Sequence, residues 1–247
     1  MQRVIAALTF FTRIPLWRIV QVDSRHYSRV VELWSAVGWI TGGVMALTLW
    51  LTSMVLPIWC AVTCALLART ILTGALHEDG LADFCDGMGG GTSRERIMEI
   101  MKDSHIGTYG VIGLIFYYML SIGTLTTMPC TAGTLCAIVL AADVWSKFCA
   151  AQIINVLPYA RTAEQAKNRT VYKRFSTVAM IFALVISVIP LYLLGYPLAL
   201  SAIAPGVTSA VIFIYLHYKL QGYTGDCCGA TFLIGELSFY ITAAAII

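Results

Sequence analysis

The stretch "STVAMIFALVISVIPLYLLG", residues 176–195, carries no charged side chain. At about 1.5 Å of rise per residue, a helix of this length spans roughly the 30 Å of a hydrocarbon core. A strand would show polar residues in alternation, and the run has no such pattern. In lipid, only a structure that satisfies its own backbone hydrogen bonds suits such a run, which selects the helix. Comparable runs lie at 31–56, 58–76, 107–128, 131–157, 197–217 and 229–247. The composition agrees: 59% of the 247 residues are hydrophobic and 12% charged, whereas a soluble domain carries about 25% charge. Mean hydropathy is +0.80. The expected fold is therefore all-α: a polytopic helical membrane bundle of about seven transmembrane helices, forming one integral membrane domain over 1–247.

Charge placement predicts the orientation. With the N-terminus inside, the inner segments are 1–30, 77–106, 158–175 and 218–228, and they hold fourteen of the sixteen Lys and Arg. The other two, Arg69 and Lys147, fall within spans. This asymmetry obeys the positive-inside rule for an odd number of spans and puts 77–106 in the cytoplasm. Residues 1–30 contain "RVIAALTFFTRIPLW", which reads as a retained interfacial segment, because Arg13 breaks its apolar run too early for a secretory leader. The net charge of +3 argues against nucleic acid as a partner. Most of the eight cysteines lie in apolar runs, where they act as small hydrophobes, and none has zinc-site spacing. A homo-oligomer is compatible with all of this.

One segment departs from the apolar pattern. "ALHEDGLADFCDGMGGGTSRERIMEIMKD", residues 75–103, holds seven of the thirteen acids: Glu78, Asp79, Asp83, Asp86, Glu95, Glu99 and Asp103. On a helix, Asp79, Asp83 and Asp86 fall at i, i+4 and i+7, a single stripe. Like charges so placed repel, and a bound Mg²⁺, which takes hard oxygen ligands from carboxylates and phosphate, reverses that cost. Asp79, Asp83 and Asp86 are thus expected metal ligands, with Asp103 brought in by a second helix. That helix is expected to open with Thr92 and Glu95 as a capping box. Glu95 and Glu99 read as a solvated face shared with Arg94 and Arg96. Gly87, Gly89 and Gly90 leave bare backbone for a phosphate-bearing ligand to approach.

These residues carry a resemblance. "LHEDGLADFCDG" followed by "RIMEIMKDSHIGTYG", with "FFTRIPL" near the start and "TGDCCGAT" near the end, is similar to the blocks of the cobalamin synthase family, the adenosylcobinamide-GDP ribazoletransferases of bacteria. The blocks come in the family's order and cover essentially the whole chain. The resemblance implies a multi-pass enzyme of the bacterial cytoplasmic (inner) membrane that uses Mg²⁺. It implies transfer from adenosylcobinamide-GDP to α-ribazole or its 5′-phosphate, with release of GMP. In that chemistry His77 or Asp103 is expected to assist deprotonation of the attacking hydroxyl. Arg13 is expected to meet phosphate, and Asp226 either completes the site or caps the last helix. Asp143 and Lys147, four residues apart within a span, read as a buried structural pair. Asp83, Asp86 and Gly87 also match the D-x-x-D-G opening of the CDP-alcohol phosphotransferases, but the rest of that pattern does not follow, so lipid headgroup transfer is the weaker reading. A transporter is weaker still, since the acids gather at one face and no internal repeat is present.

Overall fold

The computed structural model describes residues 2–160 and 172–247. Arg161, Lys167 and Arg169, counted above among the inner charges, lie outside the described residues. The described chain is helical, with no strand among its described residues beyond an isolated bridge between Tyr159 and Tyr223. Helix α1 is Gln2–Phe11, followed by 3-10 turns that run into α2 (Trp34–Ser53). Next come α3 (Ile58–Thr73), α4 (Leu76–Gly90) and α5 (Arg94–Ile100). Then follow α6 (Thr108–Thr127), α7 (Ala132–Ala151) with the single turn α8 (Ile153–Val156), α9 (Thr177–Leu194), α10 (Ile203–Leu220) and α11 (Gly225–Ile246).

Among the described residues, six helical stretches are long and apolar enough to cross a membrane: Ser24–Ser53, Thr108–Thr127, Ala132–Val156, Thr177–Leu194, Leu198–Leu220 and Gly225–Ile246. The seventh expected span is shorter than the sequence suggested. Helix α3 stops at Thr73 after 16 residues, and the chain turns by 91° into α4. Gly74 (φ +65°) and Ala75 (φ +58°) make the turn in the left-handed region. The left-handed backbone favours glycine at the first position, where a Cβ would also crowd the Arg13 side chain. The acidic segment begins as a helix, as its aspartate spacing suggested. Its first half is a 15-residue helix with one face buried, packed on α11 and α6.

Tight helix contacts form where side chains are small. Gly38 and Gly42 of α2 sit against Val144, Asp143 and Leu140 of α7, with so little room that an added Cβ at Gly38 would be 2.9 Å from the Val144 Cα. This is the small-xxx-small arrangement that lets helices in lipid approach closely. Between α3, α4, α6, α7 and α11 lies a buried ionic network. Arg69 donates to Glu236 (2.5 Å) and to the Tyr117 hydroxyl (2.7 Å), and Tyr117 donates to the second oxygen of Glu236 (2.6 Å). Lys147 pairs with Asp143, and Thr41 donates to the same carboxylate at 2.8 Å. The Asp143–Lys147 pair is thus part of a larger assembly, consistent with a structural role.

Backbone bonds tie together one end of the bundle. Arg13 N donates to Leu72 O (2.7 Å), Lys173 N to Ser28 O (2.8 Å), and Ala160 N to Tyr223 O (2.9 Å). The N-terminal segment, the α3–α4 elbow and the connections after α7 and α10 therefore meet at the face that carries most of the positive charge. The remaining connections, near 54–57, 128–131 and 195–197, carry no Lys or Arg.

Candidate active site

Two helices meet at this face. Gly80 of α4 faces the Asp226 backbone at the start of α11, where an added Cβ would be 3.0 Å from the carbonyl oxygen. Gly229 of α11 faces the His77 backbone in return, at 3.2 Å. This reciprocal close approach sets Asp79 and Asp83, one helical turn apart on α4, beside Asp226. Ligand oxygens of the three carboxylates lie within 4.8 Å of one another. Asp79 is exposed and Asp83 half-buried. Three anions so close repel strongly unless a cation or protons intervene. An all-oxygen donor set at this spacing suits Mg²⁺, which coordinates a few carboxylates and completes its shell with water and phosphate. Asp226 does not cap α11. Thr224 does, its hydroxyl accepting from Cys227 N (3.4 Å) and donating to an Asp226 oxygen (3.3 Å).

The other expected ligands go elsewhere. Asp86 is buried and accepts from Gly107 N (2.7 Å) and Gly110 N (2.8 Å), using both oxygens at the N-terminus of α6. The i+7 position turned its side chain toward α6, where free backbone amides and the helix dipole attract an anion. Asp103 is exposed, outside the carboxylate group, and bonded to the His105 ring (Nδ1 to Oδ1, 2.7 Å). Those bonds from His105 hold its carboxyl below the usual carboxylate range. The glycines expected to admit phosphate instead admit side chains. Gly87 faces Met101, Gly89 faces the Tyr109 ring and Gly90 faces Ile100. Their bare backbone allows α5 and α6 to close on α4. Helix α5 is capped by Ser93 rather than Thr92, accepting from Arg96 N at 3.2 Å. Arg96 and Glu99 do share the solvated face, but Arg94 reaches the carbonyls of Leu220 (2.8 Å) and Ala160 (2.9 Å).

His77 is buried at 2% exposure, outside the carboxylate group. Its ring stacks on Trp34 (5.6 Å between centroids) and meets the edge of Phe232 (4.9 Å). Neither ring nitrogen has a hydrogen-bond partner among the described residues. Two cavities flank the site. One, of about 210 Å³, is lined by His77, Trp34, Phe11, Tyr159, Tyr172 and Asp226 among others. The second, about 770 Å³, is lined by Arg13, Thr12, Trp17, Ser24, Tyr27 and Thr73, and Asp79 borders both. The sequence offered no signal for Tyr159 or Tyr172. For Asp226 the clue was its place in the "TGDCCGAT" block.

A multi-span helical membrane protein with a carboxylate group and two adjoining cavities at one face defines a membrane-bound enzyme acting on a polar substrate. The sequence matches the family described as cobalamin-5-phosphate synthase (CobS) over residues 3–244. The chain belongs to that family and is a transferase. Among similar proteins is the adenosylcobinamide-GDP ribazoletransferase of Leptothrix cholodnii, 36% identical over 95% of this chain and 92% of that protein. The enzyme of the same name from Shewanella sp. strain W3-18-1 is 36% identical over 96% and 91%, and that of Shewanella woodyi 33% over 95% and 92%. No solved structure matches the chain.

Proposed function

We propose that this protein is a Mg²⁺-dependent adenosylcobinamide-GDP ribazoletransferase with its active site on the cytoplasmic face of a bacterial inner membrane. Its acceptor is α-ribazole or the 5′-phosphate. A ribose hydroxyl of the acceptor attacks the cobinamide-bearing phosphorus. A new P–O bond forms, the P–O bond to GMP breaks, and the hydroxyl proton passes to water or a nearby base. The observation that carries the reading is the grouping of Asp79, Asp83 and Asp226 beside a cavity lined by Arg13.

Each part of the site has a task in this reaction. Asp79, Asp83 and Asp226 would hold Mg²⁺, which when bound supplies positive charge to the diphosphate. Arg13 is among the residues lining the larger cavity, and a guanidinium fork suits phosphate oxygens. The larger cavity suits the nucleotide end of the donor, and Asp79 at the border of both cavities supports a reaction between them. His77 and Asp103 take no base role in this scheme, the first held in an aromatic stack and the second at the surface with His105.

Membranes containing the protein should release GMP only when adenosylcobinamide-GDP, α-ribazole and Mg²⁺ are all supplied. EDTA should abolish the release, and added Mg²⁺ should restore it. Turnover that survives EDTA would remove the metal from the scheme.

A further inference from the structure

We infer that the aromatic cavity beside His77 is the seat of the acceptor's heterocyclic base. This rests on the ribazoletransferase reading above. Size decides between the parts of the two substrates. A dry cavity of about 150 Å³ takes up a single benzene ring. At about 210 Å³ this one has room for a fused bicycle, and a corrin macrocycle is excluded.

Polarity decides between the two remaining bicycles, the guanine of the donor and the benzimidazole of the acceptor. The surface of the cavity is mainly apolar, with Phe10, Phe11, Val31, Trp34 and Leu76 on its walls. Guanine carries donors and acceptors along two edges, and each one left unpaired on burial is costly. A benzimidazole riboside has a single ring-nitrogen acceptor and otherwise apolar edges. Phe11, Trp34 and the His77 ring stack on one another at this wall, and both His77 ring nitrogens are buried away from the cavity. The aromatic walls stack on the faces of the base. Asp79 and Asp226 line the same cavity, so a ribose attached to the seated base emerges beside the carboxylate group.

The test is equilibrium binding of α-ribazole to the full-length protein in lipid nanodiscs, with and without GMP and Mg²⁺. Saturable binding that 5,6-dimethylbenzimidazole displaces and guanosine does not is expected. Phe10→Ala and Tyr172→Ala, both in the partly exposed wall, should weaken it about tenfold or more, the size of a lost base–aromatic stack. Displacement by guanosine, no saturable binding, or unchanged affinity in both wall variants would overturn the assignment. Ribazole binding without GMP release would sink the functional reading and leave the cavity's occupant standing. Normal GMP release with unaltered ribazole affinity in the variants would do the reverse.

Discussion

Asp83→Asn and Asp86→Asn differ by three positions and are expected to fail in different ways. Disturbing even the outer partners of a metal ligand costs about 10–100-fold, so loss of a direct ligand at Asp83 should lower GMP release by more than about 100-fold while the melting temperature holds. Asp86 instead secures two backbone amides at the start of α6. Replacing one of its oxygens by an amide group leaves one of those amides unpaired, at about 1–3 kcal/mol. The expected result is a lower melting temperature with Mg²⁺ dependence intact, measured on detergent-solubilised protein. Equal loss of activity without destabilisation in both variants would contradict the geometry. The residue scale also shows where the sequence was hard to read. Helical spacing placed Asp79, Asp83 and Asp86 on one stripe, but a stripe has no far side: only the neighbouring helix decides which carboxylate joins Asp226 and which meets an amide. Asp226 comes from 143 positions beyond Asp83, and periodicity within one segment has no access to such a partner.

At the scale of elements, the close approach of α4 and α11 governs the site. Gly80→Val should push its new side chain against the Asp226 backbone, which already lies 3.0 Å from an ideal Cβ. A displacement of about 1 Å at a reacting centre costs roughly 100-fold in rate, so GMP release should fall by that order with the protein still inserted and folded. Gly43→Val, in open space on α2, is the control and should be nearly silent. The network around Arg69 gives a second prediction. Glu236→Leu removes the carboxylate that bonds both Arg69 and Tyr117 and leaves the buried guanidinium only the more distant carboxylates of Asp143 (3.6 Å) and Glu78 (3.8 Å). Breaking a buried pair in this way costs about 3–5 kcal/mol, so the solubilised variant should lose most of its thermal stability before any effect on catalysis is measured. Helix identities were legible from the apolar runs, because lipid imposes one rule on every span. The elbow at Gly74 and Ala75 was not, since the hydropathy of 58–76 runs smoothly through it and does not register the left-handed cap that ends α3.

The whole molecule is a bundle polarised by charge, with its polar chemistry gathered at one face and its apolar connections at the other. That division was legible from the sequence, because insertion acts on the count of Lys and Arg rather than on packing. Helix α3 carries a consequence for the surrounding membrane. Its 16 residues reach about 24 Å, some 6 Å less than a typical hydrocarbon core. The elbow, and Asp79 just past it, therefore dip beneath the headgroup plane of their leaflet unless the lipids there compress to meet them. Host bilayers built from progressively longer acyl chains should then slow the reconstituted enzyme, while shorter chains should relieve it. A protein whose turnover ignored acyl length would have its acidic cluster riding clear of the lipid, in open water.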